Sequence, residues 1–338
     1  MKFKEEKMII GALKETKYQE TRVAIIPETV VKYKKLGFEV MVETGLGLGS
    51  GFNDDEYIKN GALVLKNRND IFKQADILIN VWSLPEYEYK KLRKGQVLIA
   101  NFENNEHCSE LVEKGVSVLA LERVPRISRA QNIDILSSQN NLAGYKAALT
   151  SMNMLNRAVP MMITSAGTIK PVKVLIVGMG VAGLQALATF KRMGAIVYAS
   201  DTRAETKEET VSLGGRFVEP DKQTEVLRDV DILMTSVMPQ GKPVPLLFTK
   251  KDLETMPPNS VIVDLSCANT ETNNLRKDIK VIKNMFFASE VANSASKLFS
   301  ENVFNLIKNN GGVNFSINLD DEIFKAMCLC SNFELKEV

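Results

Sequence analysis

The sequence predicts an α/β chain of two doubly wound domains with mainly parallel sheets, the second inserted into the first. Three observations carry that expectation. Short, β-rich apolar runs alternate with helical segments, which implies parallel pairing with helices on both faces of a sheet. The alternation breaks off in a polar stretch after Val124 and restarts at Lys173. A tail that reads as returning strands then follows a long helical pattern. At 338 residues the chain suits about two domains of roughly 150 residues each. The first is expected over 1–136 plus 304–338 and the second over 137–303.

In the first domain "MIIGALKE" and "FEVMVET" read as strands around the helix "PETVVKYKKLG". Pro27 near that helix's start and Gly37 past its end suit the preferences of helix termini. "ALVL", "ADILINVW", "QVLIAN" and "VSVLAL" follow as buried strands, with helical segments such as "HCSELVEKG" between them. The polar stretch "VPRISRAQNIDILSSQNNLAGY" comes next, and a helix is expected from Asn140 over "NNLAGYKAALTSMNMLNRA". From Lys173 the strands are "KVLIVG", "AIVYASD", "RFVE", "VDILMTSV", "SVIVDLS" and "VIKNMFFAS". The long helix "NSASKLFSENVFNLIKN" leads to "VNFSINLDDEIFKAMCLC", read as strands that return to the first domain.

Composition narrows the function. Hydrophobic residues make up 45% and charged residues 25%, an ordinary globular mixture. The net charge of +2 lacks the basic excess of a nucleic-acid binder. No apolar run approaches the ~18 residues of a membrane span. Met8 to Leu13 is too short for a signal-peptide core, so a cytoplasmic location is expected. Cys108, Cys267, Cys328 and Cys330 form no disulfide framework in so long a chain. Cys328 and Cys330 are expected on one strand face, in a structural role, and no metal is expected.

Gly178, Gly180 and Gly183 follow a strand and open a helix with G-x-G-x-x-G spacing. The first permits the tight turn, the second lets backbone approach a pyrophosphate, and the third lets the helix lie close to the sheet. The helix N-terminus offers unpaired N–H groups and the positive end of a dipole. Asp201, eighteen residues after Gly183, ends the next strand and can accept the adenosine ribose hydroxyls, which favours NAD over NADP. Arg203 argues the other way, because an arginine can accommodate a 2′-phosphate. These features make the second domain a Rossmann-like nucleotide domain.

With "GALKETKYQETRVAIIPETVVKYKKLGFEV" and "VGMGVAGLQALATFKRMGAIVYASDTR", the chain resembles the alanine dehydrogenase/transhydrogenase family. The polar stretch from Val124 to Tyr145 resembles the loop of the NAD(H)-binding component in the transhydrogenase alpha branch. That likeness continues through "GKPVPLLFTKKDLETMPPNSVIVDLS" and the tail. It implies hydride transfer between NADH on this chain and NADP+ on a partner subunit, coupled to proton translocation in membrane-spanning partners. It further implies a homodimer, peripheral on the inner face of the membrane. Carried over by position, Arg126, Asp134 and Ser137 orient the nicotinamide, and Gln131 reaches toward the other nucleotide. Gly178, Met179, Gly180, Val181, Gly183, Asp201, Thr202, Arg203 and Val237 form the implied cofactor-binding set, with Val237 under the nicotinamide side. Without a ligand, the same polar stretch reads as a hinge that caps the helix after it.

Hydride transfer between two nicotinamides moves no proton at a substrate heteroatom, so positioning carries it. Oxidation of alanine needs proton handling, work suited to Lys, His or Asp. Alanine dehydrogenases carry a substrate-binding Lys and a catalytic His where this chain aligns Asn80 and Asn104, and a catalytic Asp where it has Ala268. Arg22 is shared by both branches, and His107, the single histidine, reads as a solvent-facing residue at a helix start. Two departures stand out. The transhydrogenase branch has a long mobile insert after the strand matching "RFVE", and here "RFVEPDKQTEVLRDVDIL" runs almost straight on. Its Gly-Gly-Asn after "VIVDL" is replaced by Thr270 to Asn273. The rival readings are an NAD-dependent alanine dehydrogenase and a noncatalytic NAD(H)-sensing module.

Overall fold

A computed structural model describes residues 7–102, 108–239, 242–331 and 334–335. His107 and Asn104 lie outside the described residues. The chain divides into two compact units, one formed by Met1–Gln139 with Val291–Val338 and the other by Asn140–Glu290. The first limit falls close to the expected 136/137; the second precedes the expected 303/304 because the helix Ala292–Asn309 stays whole in the first unit. Its apolar face, with Phe299, Val303, Phe304 and Ile307, enters that unit's core.

The first unit is built on strands β1 (Ile9–Ala12), β2 (Glu39–Glu43), β3 (Leu63–Leu65), β4 (Ile77–Trp82), β5 (Val97–Asn101) and β6 (Ser117–Ala120). They lie side by side in the order 3-2-1-4-5-6, all parallel. Strands of this type run apolar throughout because both faces are covered. Leu78, Leu98, Ala100 and Val118 join one core cluster, and Ile77, Ile79, Ile99 and Leu119 join the other.

The first strands of the second unit form a hairpin, β7 (Met162–Thr164) and β8 (Gly167–Ile169), that the strand–helix rhythm does not signal. Then come β9 (Lys173–Val177), β10 (Ile196–Ser200), β11 (Arg216–Phe217), β12 (Ile232–Thr235), β13 (Val261–Asp264) and β14 (Lys280–Lys283). These six repeat the first unit's arrangement, parallel in the order β11-β10-β9-β12-β13-β14. In such sheets the order reverses beside the first strand, and ligands bind at the carboxyl ends of the strands flanking that point. The flanking pairs are β1 with β4 and β9 with β12.

The chain returns to the first sheet through β15 (Cys328–Ser331), antiparallel to β6, and β16 (Glu334–Leu335). Much of the tail expected as strand is instead the helix Glu322–Met327. Asp321 caps it by accepting from Ile323 N at 2.8 Å, and Ile323, Phe324 and Met327 are buried at helical spacing. The cysteines do not share a face either. A register shift between them puts Cys328 opposite Leu119 in one core cluster and Cys330 opposite Val118 in the other. The extra residue of a bulge reverses the alternation.

Candidate functional site

Gly178 follows β9 directly, with φ of 96°, a conformation that L side chains rarely adopt. Gly180 is the N-cap of the helix Val181–Arg192, and a Cβ built on it meets no atom within 4 Å. A Cβ on Gly183 would stand 2.0 Å from the Gly178 carbonyl oxygen, so the helix lies against the turn only because that position is bare. The result is open space in front of a helix whose first N–H groups lack intrahelical partners. That space and those donors fit the pyrophosphate of a dinucleotide. Met179 is buried, and Val181 is exposed at 37%.

Asp201 sits just past β10, and its carboxylate is already engaged. Oδ2 accepts from Met179 N at 2.7 Å and from Arg203 Nη2 at 3.0 Å; Oδ1 accepts from Arg203 N at 2.9 Å and Arg203 Nε at 3.1 Å. Four donors match the roughly four lone-pair sites of a carboxylate. Burial pushes this carboxyl up, but the hydrogen bonds from Arg203 and Met179 outweigh it and hold it below its ordinary value. Arg203 also donates to Met179 O at 3.1 Å, so one ion pair braces the glycine turn. Thr202 and the Arg203 side chain are exposed. Val237, half-buried at the end of β12, packs toward Gly178. The structure thus brings together Gly178, Met179, Gly180, Gly183, Asp201, Arg203 and Val237 within the second unit.

In the first unit the polar stretch divides into anchors and displayed groups. Its helix, Ile135–Met154, begins earlier than the expected Asn140, because Asp134 supports the first turn. Asp134 Oδ1 accepts from Ser137 N at 2.9 Å and Oδ2 from Ser137 Oγ at 2.6 Å. The helix 292–309 holds the stretch through Asn302, which accepts from Ser138 Oγ at 2.7 Å and donates to Asn132 O at 2.9 Å. Arg129 forms a fork on Asp321 at 2.7 and 2.9 Å. Arg126 and Gln131 are exposed.

The ends of β1 and β4 hold a polar group that sequence reasoning reached only through Arg22 and Asn80. Glu15 accepts from Val81 N at 2.7 Å, Asn80 Nδ2 at 3.1 Å and Trp82 N at 3.2 Å. Arg22, 7% exposed, lays Nε and Nη2 on Glu20 at 2.8 and 2.6 Å and Nη1 on Gln139 at 2.9 Å. Trp82 Nε1 also donates to Glu20, at 2.7 Å. The guanidinium is neutralised within the fold. Asn80 is 2% exposed and donates to Leu13 O at 2.8 Å. Ala268 is exposed and carries no titratable group.

Burial is the largest influence on Glu15 and pushes its carboxyl from 4.5 up to about 7; the Glu20 charge adds to this, and the hydrogen bonds oppose it in part. The folded chain therefore keeps a proton that the unfolded chain has released. Stability from this group is full below 4.5 and is lost as pH rises through about 7. The wild-type thermal midpoint is expected to fall between pH about 5 and about 8 by the equivalent of ~2 kcal/mol more than that of Glu15→Gln. Parallel curves for the two proteins in scanning calorimetry would refute this.

Comparison with known proteins agrees with this architecture. Residues 11–143 match the family described as alanine dehydrogenase/PNT, N-terminal domain, and residues 147–337 match its C-terminal domain. A chain of the NAD(P) transhydrogenase alpha subunit from Rhodospirillum rubrum is 37% identical, over 95% of this chain and 96% of that one. The comparison spans 371 residues against the 338 present here, so that relative has stretches with no counterpart in this chain. Alanine dehydrogenase of Bacillus subtilis is 30% identical over 77% of this chain and 70% of its own. The crystal structure of transhydrogenase from Sinorhizobium meliloti superposes with a TM-score of 0.89 at 37% identity, covering 97% of this chain and 98% of that one.

Proposed function

The chain belongs to the alanine dehydrogenase/PNT family, and from that premise we propose that it is the NAD(H)-binding alpha component of a proton-translocating NAD(P) transhydrogenase. Its reaction is hydride transfer between NADH on this chain and NADP+ on a partner subunit. Bound NAD(H) supplies the hydride-carrying carbon. Gly178, Gly180 and Gly183 clear the path to the helix N–H groups that hold the pyrophosphate. Asp201 takes the adenosine ribose, with Thr202 and Arg203 beside it, while Met179 and Val181 line the turn. Val237 supports the nicotinamide side. Arg126, Asp134 and Ser137 orient the nicotinamide carboxamide, and Gln131, exposed, is directed to the other nucleotide.

The observation that carries this reading over alanine oxidation is the state of Arg22. A substrate carboxylate needs a cation with free charge, and Glu20 already covers this one at 2.6 Å. Asn80 and Ala268 supply neither base nor acid. Positioning remains as the source of catalysis, which suits ring-to-ring hydride transfer.

Among the described residues no helix is long and apolar enough to cross a membrane; in this proposal the membrane-spanning parts belong to partner subunits. Homodimer formation is part of the proposal and gains support from the hairpin 162–169. Met161, Met162, Ile163 and Ile169 are exposed there at 59, 42, 74 and 44%. An apolar patch of this kind favours a protein partner.

The test is one assay run twice. The purified chain with NAD+ and alanine is expected to produce no NADH. Adding the membrane and NADP(H)-binding subunits is expected to give NADH-dependent reduction of an NADP+ analogue. Alanine turnover by the isolated chain would overturn the proposal, and so would binding without transfer in the full complex.

A further inference from the structure

Ser236 and Val237 leave β12 directly beside the glycine turn. Ser236 N donates to Val177 O at 2.9 Å, and Ser236 Oγ donates to Gly178 O at 2.8 Å. Val237 Cγ2 lies 2.9 Å from where a Cβ on Gly178 would stand. One buried side chain holds Val237 from the other direction. Asn269 is 0% exposed; its Oδ1 accepts from Val237 N at 3.1 Å, and its Nδ2 donates to Val237 O at 3.0 Å and Pro245 O at 2.9 Å. The carboxamide makes on one residue the pair of bonds that strands exchange. Its backbone is equally fixed: the N–H donates to Ser266 Oγ at 3.1 Å, and the carbonyl accepts from Leu247 N at 2.8 Å and Phe248 N at 3.1 Å.

Hydrogen bonds to one buried carboxylate hold the turn that carries Asn269. Buried Asp264 accepts from Ser266 N at 3.1 Å, Ser266 Oγ at 2.7 Å, Thr270 N at 3.0 Å and Thr270 Oγ1 at 2.8 Å. Cys267 takes φ of 62° to close it. A residue that only filled space here would be apolar. Three directed bonds to the backbone of Val237 and Pro245 instead specify a position.

We propose that Asn269 is a positioning residue that fixes Val237 against Gly178 and so sets the strand-end surface on which the nicotinamide half of NAD(H) rests. This rests on the reading that the second unit holds NAD(H). Asn269→Ala removes the clamp but none of the groups at Asp201, so it separates the two halves of the nucleotide.

The experiment measures dissociation constants for NADH and for 5′-AMP by titration calorimetry, with thermal midpoints, on wild type, Asn269→Ala, Val237→Ala and the double variant. Asn269→Ser serves as the milder change should Asn269→Ala not fold. Expected are NADH binding about tenfold weaker in each single variant and AMP binding within about twofold of wild type. The double variant should be little weaker than the worse single one, because both act through one contact. Unchanged NADH binding in Asn269→Ala overturns the proposal. So does parallel weakening of NADH and AMP in step with the thermal midpoint, which marks a general brace. A wild type that binds AMP but not NADH overturns the functional reading itself.

Discussion

Gly183→Ala is expected to abolish NAD(H) binding and to destabilise the second unit by about 3 kcal/mol. The new methyl would stand 2.0 Å from the Gly178 carbonyl oxygen and 3.1 Å from its carbon. Both are backbone atoms of a turn already tied to Ser200 O and Ser236 Oγ, so no rotamer change relieves the clash. The helix must lift from the sheet, which separates Ala186, Leu187 and Phe190 from a core they enter fully buried. Gly180→Ala is the matched control. Its methyl meets nothing within 4 Å, so the thermal midpoint should stay at the wild-type value. NADH binding should still weaken by about tenfold or more, because the methyl occupies the space a pyrophosphate needs. Equal stability of Gly183→Ala and wild type in thermal denaturation would refute the packing argument. Unaltered NADH affinity in Gly180→Ala would refute the site.

The glycine turn could be read from the sequence because its logic is local: three residues, one strand and one helix determine it. The doubly wound architecture was legible for a related reason, since buried parallel strands leave continuous apolar runs such as "KVLIVG" and "ADILIN". What escaped depends on partners far along the chain. Arg22 finds Gln139, and Glu15 finds the Val81 and Trp82 amides, across separations that spacing does not encode. The early start of helix 135–154 was hidden because the bonds from Ser137 N and Oγ to Asp134, which support its first turn, carry no spacing signal of their own. The opposite facing of Cys328 and Cys330 required a bulge, which one extra residue creates without a sequence mark. Asn269 gave no signal because its partners are backbone atoms, and backbone atoms have no letters.

Asp201→Asn and Arg203→Ala should move nucleotide choice in opposite directions. Four protein donors saturate the Asp201 carboxylate, and two of them belong to the Arg203 side chain. A ribose hydroxyl must therefore displace a donor, and the exposed arginine side chain is the one able to leave. Arg203→Ala keeps the Met179 and residue-203 N–H contacts and frees the other positions. NADH affinity should then equal or exceed that of wild type, while NADPH loses the Arg203 guanidinium and weakens about tenfold. Asp201→Asn removes the charge that repels a 2′-phosphate and turns an amide NH2 toward groups that donate. NADH should bind about thirtyfold more weakly, and the preference over NADPH should largely vanish. The sign with pH follows from the depressed carboxyl. Asp201 stays ionised through the acidic range in which free aspartate protonates, so wild-type discrimination should persist below pH 3.8, the ordinary value of an aspartate. Without Arg203 the carboxyl rises toward its ordinary value, and discrimination should fail at a higher pH. Dissociation constants for both nucleotides, measured from pH about 3 to about 8, test each arm. An Arg203→Ala protein that bound NADPH as tightly as wild type would show that the guanidinium takes no part in the choice.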